Sequence, residues 1–595
     1  MKTTKSIARL AVTAGLAAAL SFGGVMAPVT MAFAAEGATT EANSITITQN
    51  ANNKDATDPN KKTQFVAYQI FNAKVDDENG SGRKVVSDVT WAIEDVQIQN
   101  QIIDAIKKSI ENDPSESQLP TKPTAQNVAE WMAANLQSAS GVVNDGDLLD
   151  KIADLLKGAT PTKPKGATSA AFAADGPVSF ENSGYYLFLT DNGSIGGKDN
   201  YSGQKQTGTS PIFAVVGGSA VVVTEKTGIP TVTKKIKDDK PGSHWADKAD
   251  SQVGQNVQYQ LTGTVAENVA SFNTYYYEFY DELSAGLIAD KDSVHVTVYA
   301  NNEDTSGTEV NLPAGAVEYN TTGNNNVLTV KFNDLKAVTA KTGSSAISIT
   351  KDSRVVVTYL AKLNPAKIEK VTVGGRGNDN EAKLIYSNNP MSEGKGESVP
   401  DTVRDYTYAL QLVKEDFDDN SKKLKDVEFT IKATGADELA SGTVGTQFVQ
   451  ENGSLGGTEH KFKTNENGEI SVTGLDAGTY TVHEVENSNP GYNTLPDFTF
   501  TITAEGLDKL EGKTLAGNAA PNTLKVTAEQ NDSTLVTPSV NDGTVTLTIQ
   551  NKKGSNLPLT GLNGVTFTWI AGGAVLCIGV AHLIRSRKRD EDSED

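Results

Sequence analysis

The sequence predicts a mainly β chain made of several sandwich domains in tandem. At 595 residues it is too long for one hydrophobic core, and about 150 residues per domain gives three or four units. Long stretches alternate Val, Thr and Tyr with polar residues, the period-2 pattern of half-buried strands. Turn residues separate these runs at sandwich-like intervals.

Charge narrows the function class. Lys+Arg 53 against Asp+Glu 74 gives a formal net charge of -21. A chain this acidic repels nucleic acid and anionic lipid, so its charge serves solubility and no nucleic-acid partner is expected. At the start, Lys2, Lys5 and Arg9 precede an apolar run from Leu10 to about Val29, and Ala32-Phe33-Ala34 follows. A positive flank, a short apolar stretch and small residues at the cleavage positions predict a secretory signal over residues 1–34. The one cysteine is Cys577, so the exported part can form no disulfide.

Residues 36–225 mix strands with helices. "TQFVAYQIF", "GYYLFL", "SPIFAVV" and "SAVVVT" read as strands, while "IEDVQIQNQIIDAIKKSI", "AQNVAEWMAANLQ" and "DLLDKIADLLK" recur at helical spacing. This first unit is expected to be a β domain with helical insertions. Residues 227–403 are almost purely strand-like, from "PTVTKKI" through "YYYEFYDEL" to "AKLIYSNN". Residues 404–555 repeat that style, from "YTYALQLVKE" to "TVTLTIQN". Short linkers between the units predict three beads in a rod.

The tail has a different character. Val565 to Ile584 is apolar, and as a helix it would span about 30 Å, one bilayer core. Arg585, Arg587, Lys588 and Arg589 follow and would hold that end in the cytoplasm. Residues 565–584 are therefore expected to form a single transmembrane helix in the precursor. Leu557-Pro558-Leu559-Thr560-Gly561 stands just ahead of it.

That pentapeptide, apolar span and basic tail together resemble the cell-wall sorting signal (residues 557–595) of Gram-positive surface proteins. The rest of the chain resembles a sortase-assembled major (backbone) pilin. "GTYTVHEVENSNPGYN", Gly478 to Asn493, is similar to the E-box of pilin domains, and residues 404–555 to a Cna B-type immunoglobulin-like domain. "IPTVTKKIKD", "YYYEFYDELSAGL" and "AKLIYSNNP" resemble the middle immunoglobulin-like domain of these pilins. The resemblance implies that a sortase cysteine cuts between Thr560 and Gly561, holds Thr560 as a thioester and passes it to an amine. Acyl transfer through a covalent intermediate conserves the energy of the broken peptide bond. It further implies a pilus-specific and a housekeeping sortase, other copies of the chain, minor or tip pilins and peptidoglycan as partners. The mature protein would then be a wall-anchored fimbrial subunit supporting adhesion. A monomeric wall-anchored adhesin that binds host matrix or glycans is the alternative.

The same resemblance implies intramolecular Lys–Asn isopeptide bonds, whose chemistry can be sought in the residues. A buried lysine must give up its proton to become nucleophilic, and a buried carboxylic acid must polarise the asparagine carbonyl. Lys414 is in phase with Leu410 and Leu412, Glu484 with Tyr480 and Val482, and Asn551 with Leu547 and Ile549. Lysine, acid and asparagine on core-facing positions require one another, because an unpaired buried ammonium is costly. Lys414–Asn551 with Glu484 is therefore the expected cross-link of the last unit. In the middle unit Lys234, Asp281 and Asn388 follow the same order and phase, with Lys235 and Asn389 as the out-of-phase fallback. The first unit departs: no acid falls in phase after "GYYLFLT", so no such bond is expected there.

In the family, the lysine that receives the threonine of the next subunit ends the first unit, often as Tyr-Pro-Lys. Here Thr224-Glu225-Lys226 stands at that place, so the flanking residues depart from the motif while Lys226 keeps the position. Lys235 is the fallback, since it points outward if Lys234 points inward. No metal or cofactor is expected. "DFDDNS" lacks the glycine and glutamate of a calcium loop, and the five histidines have no paired spacing. No phosphate loop or nucleophile elbow appears. The chain is thus expected to be a substrate of enzymes and not itself an enzyme.

Overall fold

The computed structural model describes residues 42–554 apart from 55–57, 59, 78–83, 113–117, 137–141, 196–205, 239, 241, 322–325, 435–446, 508–522 and 530–534, together with short strands at Leu20–Phe22, Val25–Ala27 and Phe33–Ala34. The leader lies largely outside the described residues. The sorting motif Leu557–Gly561, the apolar span 565–584 and the basic tail lie wholly outside them. No helix among the described residues is long and apolar enough to cross a membrane.

The fold is mainly β, in several two-sheet sandwiches with a few helices. In the first region β1 (Ser44–Thr48) pairs parallel with β6 (Val221–Thr224). Opposite lies a sheet holding β2 (Gln64–Asp77), β3 (Lys84–Trp91), β4 (Gly184–Thr190) and β5 (Ile212–Val216). Ile45, Phe65, Phe188 and Val221 fill the space between these sheets. The other face of β4, with Tyr185, Leu187 and Leu189, packs against α1 (Val96–Asn112), α2 (Ala125–Asn135) and α3 (Leu148–Leu156) through Ile106, Trp131 and Ile152. Thus β4 is buried on both faces, which is why "GYYLFLT" shows no polar alternation. Helix α2 starts at the capping box formed by Thr124 and Asn127.

The middle sandwich has one sheet built on β7 (Val232–Lys237), β8 (Val257–Thr264), β10 (Leu287–Tyr299) and β12 (Arg354–Leu363). The other contains β9 (Tyr277–Leu283), β11 (Asn326–Phe332), β13 (Asn378–Ser387) and β14 (Asp401–Tyr406). Tyr259, Leu261, Phe279, Val330, Val357 and Leu384 lie in their shared core. The spacing of "AKLIYSNN" predicts a strand from Ala382 onward, but β13 begins at Asn378. Residues 375–380, Gly-Arg-Gly-Asn-Asp-Asn, have turn chemistry. Pairing with β14 on one side and β9 on the other nevertheless draws Asn378–Ala382 into the sheet.

In the last sandwich β15 (Tyr408–Asp416) lies between β17 (Glu469–Leu475) and β22 (Thr544–Asn551), with β21 (Val536–Asn541) outside β22. The facing sheet carries β16 (Glu428–Ala433), β18 (Gly478–Glu484), β19 (Phe498–Glu505) and β20 (Thr523–Glu529). The first and last strands of this sandwich, β15 and β22, are parallel neighbours. This adjacency sets up the first of the two sites below.

Candidate functional site

Alternation alone makes Lys414, Glu484 and Asn551 face the core, and the sandwich brings them together. Lys414 sits opposite Ile549 on the parallel β15–β22 pair, two positions before the Asp416–Asn551 pair. Glu484 comes from the facing sheet, where it pairs with Phe429. The three side chains are 0–2 % exposed. Lys414 Nζ donates to Glu484 Oε2 at 3.0 Å and also to Asn551 Oδ1. Asn551 Nδ2 donates to Glu484 Oε1 at 2.6 Å. One carboxyl therefore holds both the amine and the amide nitrogen. The Leu495 amide adds a 3.2 Å bond to Glu484 Oε2, and the Phe429 ring lies 5.4 Å from Lys414 Nζ. Burial pushes the Lys414 ammonium down to about 8, against the pull of Glu484.

The middle site has a different plan. Lys234, 0 % exposed, faces the core from β7 and donates to Asp281 Oδ1 at 2.5 Å. It also donates to the Tyr359 hydroxyl at 3.1 Å. Tyr359, on β12, donates to Asp281 Oδ2 at 2.6 Å and accepts from Asn380 Nδ2 at 2.8 Å. Burial lowers the Lys234 ammonium and raises the Asp281 carboxyl, so both are driven toward their neutral forms. The rings of Tyr259 and Tyr359 stack at 5.3 Å, and Lys234 Nζ lies 5.5 Å from each.

The expected asparagine, Asn388, is not at this site. Asp281 pairs with Ala382 across β9–β13, which leaves Asn388 six residues farther along the chain, about 20 Å of strand. Its amide instead donates to the Ile195 carbonyl at 3.1 Å and the Lys395 carbonyl at 3.0 Å. Asn389, the fallback, lies beside it and meets Asn192. Asn380, near the opposite end of β13, pairs with Leu283 instead and stands beside the cluster. Phase indicated the correct face but not the position along the strand. Tyr359 was missed as well; an isolated tyrosine in "RVVVTYLAKL" reads as ordinary core.

The two lysines considered as acceptors occupy different surroundings. Lys226 is half-buried, and its backbone is clamped by Thr209 Oγ1 and the Ser210 amide. Its ammonium has no partner among the described residues. Glu225 just before it is 1 % exposed and is held by the Asn50 amide at 2.9 Å, by Asn53 Nδ2 at 3.1 Å and by the Thr63 hydroxyl. Burial raises its carboxyl. Lys235 is instead paired with the buried Asp247. The first region also buries Lys84, which donates to the Ser219 carbonyl at 3.0 Å and lies 4.0 Å from Asp77. Burial lowers its ammonium to about 8. Among the described residues, no group of three or more His, Cys, Asp or Glu is placed to hold a metal ion.

Comparison with known proteins locates a family signal in the last sandwich. Residues 409–514 match the SpaA prealbumin-like fold domain. This prealbumin-like segment contains Lys414 and Glu484 and stops before Asn551. No curated protein sequence matches the chain. Among solved structures the chain is similar to backbone pilins of Gram-positive bacteria. The T6 backbone pilin of Streptococcus pyogenes is 16% identical, covers 87% of this chain and 100% of its own, and gives a TM-score of 0.44. The full-length major pilin SpaD of Corynebacterium diphtheriae is 15% identical, with coverages of 86% and 98% and a TM-score of 0.39. The major pilin SpaA of the same bacterium is 13% identical, with coverages of 86% and 100% and a TM-score of 0.38.

Proposed function

We propose that this chain is the repeating subunit of a covalent surface pilus. In this reading a sortase joins Thr560 of one copy to Lys226 of the next, and two internal amide bonds lock the middle and last sandwiches. The observation that carries it is the occurrence of two fully buried lysine–acid–asparagine clusters in consecutive sandwiches. Burying several ionisable groups is expensive unless they pair or react. Both lysines have depressed ammonium groups, which is the state a nucleophile needs.

In the last sandwich, attack of Lys414 Nζ on the Asn551 side-chain carbonyl forms an amide and releases ammonia. Glu484 takes a proton from the attacking Nζ and relays it to the departing nitrogen, both of which it already touches. Rigid packing holds the groups in place, so no separate enzyme is required. In the middle sandwich the corresponding pair is Lys234–Asn380 with Asp281. Asn388, by contrast, donates to the Ile195 carbonyl of the first region.

The cross-links suit a load-bearing fibre. Lys414 lies in the first strand of the last sandwich and Asn551 in its final strand, a few residues before Thr560. Tension applied through Thr560 would pass from Asn551 to Lys414 without unravelling the strands between them. Lys226 is the acceptor of choice because its ammonium is uncommitted, whereas Lys235 is tied to Asp247. Wall anchoring, the two sortases and adhesion belong to the same proposal.

The test is proteolytic mass mapping of the purified full chain. Each cross-link should appear as a branched peptide lighter than its two parts by one ammonia. Finding the Lys414 and Asn551 peptides separate and of full mass would overturn the proposal for the last sandwich. In wall extracts boiled in detergent, a ladder of high-mass species marks a pilus; a single band would leave a wall-anchored monomer.

A further inference from the structure

The two clusters are not built alike, and the difference assigns a chemical task to a tyrosine. In the last sandwich Glu484 reaches both reacting groups by itself, with Oε2 on Lys414 and Oε1 on the Asn551 amide nitrogen. In the middle sandwich the acid is Asp281, one methylene shorter. Its Oδ1 meets Lys234, but its Oδ2 meets Tyr359 and not the asparagine. The Tyr359 hydroxyl fills that place, 2.6 Å from Asp281, 3.1 Å from Lys234 Nζ and 2.8 Å from Asn380 Nδ2. Asn380 Oδ1 is buried and has no hydrogen-bond partner among the described residues.

Resting on the cross-link reading above, we propose that Tyr359 is a catalytic residue of the middle sandwich, relaying a proton from Asp281 to the departing nitrogen of Asn380. The Lys234 ammonium first gives a proton to Asp281, which leaves a neutral amine and a neutral acid. Nζ then bonds to Cγ of Asn380 as the carbonyl electron pair moves onto Oδ1. Tyr359 hands its hydroxyl proton to Nδ2 and takes one from Asp281, and Asp281 in turn takes one from the attached Nζ. The carbonyl re-forms, the Cγ–Nδ2 bond breaks and ammonia leaves. Amide, neutral Asp281 and intact Tyr359 remain, so protons and charge balance.

The hydroxyl sits where it can do this because the ring is fixed independently of it. Tyr359 stacks on Tyr259 with their planes 12° apart, and the two residues are register partners on β8 and β12. Tyr359→Phe therefore removes the relay while keeping the stack. Tyr259 is a matched control: its own hydroxyl is buried and has no hydrogen-bond partner among the described residues.

The experiment follows both cross-links in the newly synthesised full chain by proteolytic mass mapping over time. Y359F is expected to slow the Lys234–Asn380 bond by about 100-fold, the usual scale of a proton-transfer contribution. It should leave Lys414–Asn551 unchanged, and Y259F should leave both unchanged. Formation of the middle bond in Y359F at the wild-type rate would overturn the relay while leaving the cross-link reading intact. Absence of the middle bond from the wild-type chain would overturn both. If Y359F fails to fold, as shown by loss of the last bond too, global replacement of tyrosine by nearly isosteric fluorotyrosine decides the matter. The relay requires the middle bond to change rate relative to the last one, which has no tyrosine among its reacting groups; an unchanged ratio would refute it.

Discussion

Replacing Glu484 by glutamine isolates the contribution of the proposed Lys414–Asn551 cross-link. Glutamine keeps the volume and a carbonyl acceptor for the Lys414 ammonium but cannot cycle a proton, so E484Q should fold without closing the Lys414–Asn551 bond. The two residues are 137 positions apart, and a covalent link closing such a loop removes unfolded-chain entropy worth about 5 kcal/mol at 25 °C. For a domain of this size that corresponds to about 15 °C in unfolding temperature. The assay pairs mass mapping, to show the missing bond, with calorimetry of the transition assigned to the last sandwich. Bond formation in E484Q at the wild-type rate would refute the role of the acid. Loss of the bond with an unchanged transition would refute the entropic account of its stabilisation.

Three further outcomes follow from the geometry. Asn380→Ala should abolish the middle cross-link and Asn388→Ala should leave it, which branched-peptide mapping reads directly; the reverse result would restore the asparagine that phase alone suggests. In Asn551→Ala, where Lys414 stays an amine, the native ammonium titrates near 8 against 10.5 for the free side chain. Between these values the unfolded chain binds the extra proton, so the stability of N551A should rise with pH by up to about 1.4 kcal/mol per unit. The cross-linked parent should lack that rise, and denaturant titrations giving parallel slopes for both proteins would contradict it. Finally, Lys226→Arg should remove the high-mass ladder from wall extracts while leaving monomer on the cells, and Lys235→Arg should keep the ladder; a persistent ladder in K226R would move the acceptor elsewhere.

Much of the site could be read from period-2 alternation. Phase is local: a lysine two residues from buried leucines points where they point, whatever the rest of the chain does. That was enough to turn Lys414, Glu484 and Asn551 inward, and Lys234 and Asp281 likewise. Lys226, the proposed acceptor, lies two residues past the end of β6, so its place in the chain and not strand phase singled it out. The two-faced burial of β4 could also be read, as a strand with no polar side, although not what covered each face.

What the sequence by itself determined, then, is which residue types share a core face and in what order they occur. Which of them meet was decided by the tertiary structure. Asn380 lies in β13 and Asn388 one residue past its end, and only the pairing of Asp281 with Ala382 brings one within reach and leaves the other at the far end. Register is non-local: it depends on pairing between strands about a hundred residues apart, and on the β14 and β9 neighbours that pull a turn-like Asn-Asp-Asn into a strand. Tyr359 was hidden for the same reason. Its hydroxyl meets Lys234, Asp281 and Asn380 only when two sheets close over it, and no spacing along the chain encodes that meeting.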